Sequence, residues 1–309
     1  MTYPNSTCIL GAPVDTGAGI SGCAEGPGAW RAAGLIGELQ QNGRAVVDLG
    51  DARPQPGPAL SHANPALRNL SETAAMIRGL GAAARQAGRR CALPVFLGGD
   101  HSISAATVPA MAARAAEVGR PFFVLWLDAH PDLHDLHSTV SGNLHGTPAA
   151  YSLGLPGFEA FSPLPARVNP ANLCMMGLRS VDGAEARRLA ALGIDAHPMA
   201  DLHRTGVTAP LAAFLDRVAR EGGDLHVSFD VDFLDPAIAP GTGTTEAGGA
   251  TEAQAGQIAA MLRDSGLVSS LDLVELNPRL DDRACTATLM CRLAAGLLPP
   301  GEALRHTGS

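Results

Sequence analysis

Aspartate and histidine side chains are concentrated in one short stretch, residues 128–137, which reads DAHPDLHDLH. Three aspartates and three histidines fall within these ten positions, where they could either face solvent or bind a metal. Further acidic and histidine residues occur in GGDHS at 98–102, DVD at 230–232 and VEL at 274–276. Carboxylates with a few imidazoles are ligands that suit Mn²⁺, although imidazole also accommodates Zn, Co, Ni or Fe. The four motifs therefore indicate a candidate metal centre.

The distribution of basic residues argues against a solvated or salt-bridged loop. The chain has only 22 lysines and arginines in 309 residues, and none lies between Arg120 and Arg167. Two divalent ions would balance the charge of the four aspartates in these motifs, which are Asp128, Asp132, Asp230 and Asp232. Two ions that share a water lower its pKa towards 7 and polarise the group it attacks. The pattern predicts a binuclear metallohydrolase.

Short apolar runs precede these motifs and alternate with longer helical stretches, such as residues 72–88 and 251–266. Continuous hydrophobicity indicates strands buried on both faces, and their alternation with helices indicates a doubly wound, mostly parallel sheet. Parallel sheets place their ligand sites at the carboxyl ends of strands, where the motifs fall. We expect one domain over residues 1–309, with strands in the runs 8–13, 92–99, 122–130, 173–178, 225–232 and 267–276.

Composition excludes several classes of protein. A formal net charge of -8 disfavours nucleic acid or an anionic membrane as a partner, because both require a basic surface. The sequence has neither an apolar run of about 18 residues nor an amino-terminal signal peptide. Six scattered cysteines without a C-x-x-C pair predict buried free thiols rather than disulfides or a zinc knuckle. We expect a cytoplasmic protein.

The motifs resemble those of the manganese ureohydrolases, the arginase and agmatinase family. The matching segments are GGDHS, DAHPD, SGNLHG at 141–146 and SFDVDFLDP at 228–236, and the likeness runs from LGAPVDTG near the start to ELNPRLD near the end. The resemblance implies a three-layer α/β/α sandwich around an eight-stranded parallel sheet. It also implies a small guanidino substrate, two Mn²⁺ per chain, with other divalent ions possible, and a homo-oligomer that is a trimer or a hexamer.

The resemblance implies two metal sites that share ligands. The first metal would be bound by His101, Asp128, Asp132 and Asp230. The second would be bound by His130, Asp128, Asp230 and Asp232, so that Asp128 and Asp230 bridge the two ions.

Three residues acquire catalytic roles from the same resemblance. A metal-bridging hydroxide would attack the guanidinium carbon, and Asp132 would pass its proton to the leaving nitrogen. Glu275 would pair with the guanidinium, whose planar fork of donors matches a carboxylate. His145 would shuttle protons to and from solvent, a task suited to an imidazole.

The substrate-binding residues favour L-arginine, which would give L-ornithine and urea. SGNLHG is typical of the arginase branch, where its serine and asparagine bind the α-carboxylate, and GLRSVD at 177–182 ends on the aspartate that meets the α-amino group. His134 stands where arginases often carry an asparagine that contacts the carboxylate. The PGTG-containing segment at 239–249 looks as much like agmatinases, and it adds a threonine to the predicted contacts, which are His134, Ser141, Asn143, Asp182, Thr244 and Glu275.

Several alternatives remain open at this point. Agmatine or guanidinobutyrate could be the substrate, or the chain could be a catalytically silent relative that binds metal or amino acid. A single-zinc deacetylase is disfavoured, because it does not need both bridging aspartates. Glu275 could instead form a salt bridge with Arg279, while Asp135 and His137 are interpreted as solvated loop residues. The remaining histidines are left as structural, at positions 62, 197, 203, 226 and 306.

Overall fold

The computed structural model describes residues 3–301, so the expectation for His306 lies outside the described residues. One eight-stranded parallel sheet forms its centre, in the spatial order β2-β1-β3-β8-β7-β4-β5-β6. The strands are β1 (Tyr3–Ala12), β2 (Ala45–Asp51), β3 (Cys91–Gly98), β4 (Phe122–Leu127), β5 (Leu173–Leu178), β6 (Asp195–Pro198), β7 (Asp224–Asp230) and β8 (Val268–Val274). The predicted parallel sheet of eight strands is confirmed.

Helices cover both faces of the sheet. They are α1 (Gly26–Ala32), α2 (Leu35–Gln41), α3 (Leu70–Arg90), α4 (Ser104–Glu117), α5 (Pro148–Ser152), α6 (Gly183–Leu192), α7 (Met199–Thr205), α8 (Thr208–Arg220), α9 (Glu252–Ser265) and α10 (Cys285–Leu297). One apolar core joins the sheet to α1, α2 and α7–α10, and a second joins its other face to α3–α6. Successive residues of β4 alternate between the two cores, which explains its unbroken hydrophobicity. The structure is the expected three-layer α/β/α sandwich, while the single-domain assignment stays a prediction.

The two edge strands, β2 and β6, are absent from the apolar runs identified in the sequence. Neither contains a buried residue: every residue of β2 and of β6 is partly or fully exposed. Each edge strand has a neighbour on one side only, and polar residues are tolerated there. Hydrophobicity alone therefore found the six inner strands and missed the outer two.

The prediction that all six cysteines are buried free thiols is wrong for three of them. Cys8 of β1 and Cys91 of β3 form a disulfide, with Cα atoms 5.9 Å apart across neighbouring strands. These residues are 83 positions apart, so no local spacing signals the pair. Cys285 is free but exposed, and the buried free thiols are Cys23, Cys174 and Cys291.

The disulfide is also relevant to the cellular compartment of the protein. Disulfides are uncommon in reducing compartments, so the expected cytoplasmic location stays a prediction. Among residues 3–301, no helix has the length and apolarity that a membrane crossing requires.

Candidate metal centre and active site

Four central strands carry the predicted metal-binding motifs to the same edge of the sheet. These strands, β3, β8, β7 and β4, are consecutive in the sheet, and their carboxyl ends lie within one residue of register. Asp128 follows β4 directly, Asp230 ends β7 and Glu275 follows β8. His101 begins a short 3-10 turn three residues beyond β3. The parallel sheet therefore brings together residues that lie up to 174 positions apart in the chain.

His101, Asp128 and Asp230 form the first of two ligand trios. The Nδ1 atom of His101 lies 3.0 Å from an oxygen of Asp128, 3.0 Å from Asp230 and 3.1 Å from Asp132. The other ring nitrogen of His101, Nε2, lies 2.8 Å from the Ser228 hydroxyl, which holds the imidazole in place. One imidazole nitrogen thus faces three carboxylates, as expected around a shared cation.

Asp128, His130 and Asp232 form the second trio. The Nδ1 atom of His130 lies 3.0 Å from Asp232 and 3.5 Å from Asp128. Backbone N–H groups orient the carboxylates: Ala129 donates to Asp232 at 3.0 Å and His130 donates to Asp128 at 2.7 Å. In each trio the possible ligand atoms lie within 4.8 Å of one another, and Asp128 belongs to both. These residues could hold metal ions.

Burial determines the electrostatics of this centre. Loss of water raises the pKa of Asp132, Asp230 and Asp232 above the usual carboxyl value, and the charge of Asp128 adds to the effect. Burial also opposes protonation of His101, but the surrounding carboxylates raise its pKa well above the usual imidazole value. Four carboxylates in one buried space repel each other, and divalent cations would offset that repulsion.

The oxygen-rich donor set fits divalent cations, and one buried atom is otherwise unexplained. Oδ2 of Asp132 is buried and accepts no hydrogen bond from any described residue. A buried carboxylate oxygen without a partner is costly unless a cation or water satisfies it.

Asp132 and Glu275 both have left-handed backbone conformations, with φ of 51° and 65°. Only three other non-glycine residues between positions 3 and 301 have positive φ. Such conformations are uncommon for non-glycine residues and concentrate at functional sites. The backbone is therefore strained at two of the three predicted catalytic residues.

Glu275 and His145 form a buried pair beside the first trio. Oε1 of Glu275 lies 2.8 Å from Nδ1 of His145 and accepts the backbone N–H of His101 at 2.7 Å. Burial would raise the pKa of Glu275, but His145 and these hydrogen bonds lower it. Burial would lower the pKa of His145, and the charge of Glu275 raises it to about 9. The alternative pairing of Glu275 with Arg279 is wrong, because Arg279 binds Glu25 at the surface.

A cavity of about 260 Å³ opens above the trios, and it is large enough for a small linear substrate. All thirteen predicted site residues line it: His101, Asp128, His130, Asp132, His134, Ser141, Asn143, His145, Asp182, Asp230, Asp232, Thr244 and Glu275. Thr244 also donates to Asp232 at 3.1 Å. The structure thus brings the predicted residues together, and their individual roles are taken up below.

The mouth of the cavity contains a polar cluster around His134. Asp182 caps the amino terminus of α6, where one carboxylate oxygen accepts the N–H groups of Ala184 and Glu185 at 2.7 and 2.9 Å. The other oxygen lies 3.2 Å from Nε2 of His134. Nδ1 of His134 lies 3.2 Å from the Ser138 hydroxyl. Both ring nitrogens of His134 therefore have protein partners.

The SGNLHG segment depends on a glycine for its shape. Gly142 has φ of 72°, and a Cβ there would overlap the carbonyl of Ala66. The turn places Ser141 and Asn143 on the cavity wall, where the Ser141 hydroxyl accepts the N–H of Asn143 at 3.2 Å.

The interpretation of Asp135 as a solvated residue is wrong. Its side chain is largely buried, pairs with Arg188 and accepts the N–H groups of His137 and Ser138. These bonds close the turn that follows the metal-binding motif. His137 is exposed, as expected.

Several residues that support the site were missed from the sequence. Trp126 stacks on His101 with ring centroids 4.4 Å apart, and its Nε1–H donates to Asp128 at 2.9 Å. Thr139 and Glu185 are buried residues that also line the cavity. Trp126 could have been identified from the sequence, because it precedes Asp128 by two positions and therefore lies on the same side of the strand. Asp100 also belongs to this group: it lies within GGDHS but one position before the predicted ligand.

Asp100 holds the segment that begins at Gly17 against the site. Its buried carboxylate accepts the N–H groups of Gly17 and Ala18 at 2.7 and 3.1 Å. The carbonyl of Gly17 in turn accepts the N–H groups of Leu144 and His145 at 2.8 and 3.1 Å. A Cβ at Gly17 would come within 3.0 Å of Asp100, so a larger residue would disturb this contact.

Comparison with known proteins gives one consistent result. A family model described as the Arginase family matches residues 5–298. An arginase of Agrobacterium fabrum is 58% identical over 292 residues, which cover 94% of this chain and 90% of that protein. An arginase of Brucella melitensis is 50% identical over 291 residues, which cover 94% of this chain and 95% of that protein.

Solved structures give the same match. A crystal structure of arginase from Bacillus subtilis has a TM-score of 0.82 at 32% identity, covering 95% of this chain and 98% of that chain. A crystal structure of Entamoeba histolytica arginase in complex with L-ornithine has a TM-score of 0.83 at 25% identity, covering 96% of this chain and 99% of that chain.

Proposed function

The chain belongs to the arginase family, and we propose that it hydrolyses L-arginine to L-ornithine and urea. The observation that carries the proposal is that two sets of polar residues line one cavity. Two carboxylate–imidazole trios that share Asp128 lie at its floor, and residues suited to bind an α-carboxylate and an α-ammonium lie at its mouth. The proposed partners are this guanidino substrate and further copies of the chain, in a trimer or a hexamer.

We propose that the floor of the cavity binds two Mn²⁺ ions. The first would have the ligands His101, Asp128, Asp132 and Asp230, and the second His130, Asp128, Asp230 and Asp232. An all-carboxylate-and-imidazole set without thiolate suits Mn²⁺. When bound, two such ions supply a nucleophilic water of lowered pKa and polarise the group under attack.

Asp132 is the proposed proton carrier. Its carboxylate lines the cavity, and Oδ2 lies 3.1 Å from Nδ1 of His101, on the side of the first metal site. With Oδ2 directed to that site, the other oxygen can accept a proton from the attacking water and deliver it to the nitrogen that leaves with ornithine. The left-handed backbone at this position is uncommon for a non-glycine residue and supports a functional role for Asp132.

Glu275 and His145 complete the proposed chemistry. Oε1 of Glu275 is occupied by His101 and His145, whereas among residues 3–301 Oε2 has only the Cys23 sulfur, at 3.7 Å. Oε2 is therefore the oxygen available to a substrate guanidinium, a match of a donor fork to a carboxylate. With Nδ1 of His145 bound to Glu275, Nε2 is the ring atom that remains for proton exchange with solvent.

Residues at the mouth would select the amino-acid end of the substrate. We propose that Ser141 and Asn143 bind the α-carboxylate, that Asp182 binds the α-ammonium, and that Thr244 positions Asp232 beside the substrate. A urea-release assay with Mn²⁺ tests this arrangement on arginine, agmatine and 4-guanidinobutyrate. Agmatine lacks the carboxylate, so kcat/KM is expected to fall about 10- to 100-fold, since unpaired polar groups cost about 1–3 kcal/mol. Faster turnover of agmatine would identify an agmatinase, and no urea from any substrate would indicate a silent binder.

His134 gives a more specific prediction. Because its ring nitrogens face Asp182 and Ser138, we propose that it acts on the substrate through Asp182 rather than by touching the carboxylate. His134→Ala should raise KM for arginine about 3- to 10-fold, from the loss of about 1 kcal/mol of hydrogen bonding, with little change in kcat. KM for 4-guanidinobutyrate, which has no α-ammonium, should stay within about twofold of its original value.

The control for this prediction is His137→Ala, an exposed histidine in the same loop that does not line the cavity. It should leave both KM values unchanged. An equal rise in KM for arginine and for 4-guanidinobutyrate would contradict the role through Asp182 and favour direct contact with the carboxylate. Where turnover of 4-guanidinobutyrate is too slow, its inhibition constant against arginine serves the same purpose.

A further inference from the structure

A second group of potential metal ligands lies at the edge of the sheet, away from the active site. Cys174 is the second residue of β5, and it pairs in register with Asp195, the first residue of β6. His197 lies two positions after Asp195, so both side chains point to the same face of the sheet. The active site lies at the carboxyl ends of the strands, whereas this cluster lies near the amino end of β5.

The three side chains converge. The Cys174 sulfur, a carboxylate oxygen of Asp195 and a ring nitrogen of His197 all lie within 4.8 Å of one another. Nε2 of His197 is 2.9 Å from Oδ1 of Asp195. Apart from this ion pair, the buried Nε2 has no hydrogen-bond partner within residues 3–301. The Asp195 carboxylate also lies beside the Cys174 thiol, so the three side chains make their polar contacts with one another. A cation at their centre would take the place of the protons that they share.

The same spacing occurs at the proposed manganese centre. Around His101 the distances from Nδ1 to carboxylate oxygens are 3.0–3.1 Å. Metal–nitrogen and metal–oxygen bonds near 2.1 Å separate neighbouring ligands by roughly 3 Å at octahedral angles and by roughly 3.4 Å at tetrahedral angles. The 2.9 Å between His197 and Asp195 is shorter than the tetrahedral value, so these two side chains would separate by about half an ångström around a tetrahedral ion.

The ligand types differ from those of the active site and indicate a different ion. Cysteine thiolate is a soft ligand that favours zinc over manganese, and a Cys, His, Asp set suits tetrahedral Zn²⁺ with one position left for water. Thiolate and carboxylate together would neutralise a divalent charge. The Cys174 side chain is fully buried, while His197 and Asp195 are 27% and 42% exposed. An ion could therefore enter from solvent at the edge strand.

One basic residue, Arg217, lies near this cluster but does not occupy the proposed metal position. The Arg217 guanidinium of α8 rests over the rings of Phe123 and Phe214, at 5.6 and 5.5 Å from their centres. Its Nη2 is buried and makes no hydrogen bond to the described chain. His197 and, to a smaller extent, the charge of Arg217 lower the pKa of Asp195. Aromatic contacts hold the guanidinium, so Arg217 does not stand between Asp195 and the other two side chains.

We propose that Cys174, Asp195 and His197 form a second metal site, selective for Zn²⁺ or a similar thiophilic divalent ion. An ion there joins the short edge strand β6 to β5. Because it binds the folded chain, it stabilises the protein without taking part in urea release.

Cobalt titration of the Mn²⁺-loaded full-length protein tests the site, because a thiolate bound to Co²⁺ gives a ligand-to-metal charge-transfer band in the near ultraviolet. The band and one additional equivalent of bound metal are expected for the original protein. Both should be lost in Cys174→Ser and in His197→Ala, and Zn²⁺ should abolish the band by displacement. The His197 variant changes a partly exposed edge residue, so it provides a test should the Cys174 variant fold poorly.

Cys291→Ser is the matched control, since Cys291 is also buried and free but lies in α10. It should keep the band, and all the variants that fold should keep their rate of urea release. No band in the original protein would overturn the proposal, and so would a band that persists in both Cys174→Ser and His197→Ala.

Discussion

Asp132→Asn is expected to lower kcat for urea release by about 10²- to 10⁴-fold, the usual contribution of a positioned acid–base group. The amide has nearly the shape of the carboxylate but cannot accept the proton from water and return it to the leaving nitrogen. Asparagine also tolerates the left-handed backbone found at this position, where φ is 51°. The loss should therefore reflect chemistry rather than misfolding, and KM for arginine should change little.

The matched control is Asp135→Asn. Asp135 is the next aspartate along the chain and is also largely buried, but it binds Arg188 and the following turn and does not line the cavity. This variant should keep its turnover within about threefold, apart from any loss of stability. Steady-state kinetics at saturating Mn²⁺, with metal content measured in parallel, decide the question. A loss of less than tenfold in Asp132→Asn would rule out Asp132 as the proton carrier.

Asp128→Asn is expected to weaken both bound metals, because this carboxylate belongs to both trios. Metal content should fall from two ions per chain to less than one, and activity should fall by at least about 10³-fold with the loss of metal-activated water. Asp232→Asn is the informative comparison, since Asp232 belongs to the second trio only. It should lose one ion and keep the other.

Metal analysis after dialysis against a weak chelator measures this difference directly. Equal loss of one ion in the two variants would show that Asp128 does not bridge. Retention of two ions in both would place the metals elsewhere. Thermal unfolding gives a second readout, because each site filled at about 100 times its Kd adds about 2.7 kcal/mol to the free energy of unfolding.

The site was predictable from the sequence because its chemistry lies in short motifs at strand ends. Asp128, Asp230 and Glu275 follow or end apolar runs that are long and buried, so the strands were easy to identify. Parallel pairing then requires their carboxyl ends to share one edge. The residues that act together at the site were predicted because their motifs follow strands that end at this edge.

What the sequence did not predict depends on contacts between distant segments. The Cys8–Cys91 disulfide follows from the adjacency of β1 and β3, and no spacing rule encodes that adjacency. The engagement of His134 by Asp182 depends on where α6 begins, relative to a loop about 50 positions earlier in the chain. Strand order and helix placement decide such contacts, and both depend on packing of the whole chain.

The spread of the ligands over three strands has a consequence for folding. The ligands follow or end β3, β4 and β7, whereas β8 comes after all of them in the chain and must pair between β3 and β7 before these strands can align. A fragment that ends before β8 would contain every ligand but could not assemble the centre, so we expect cation affinity to appear only once β8 has paired. Bound metal should therefore slow amide exchange throughout β3, β4, β7 and β8 together, while the fraying of the outer strands continues at its own rate.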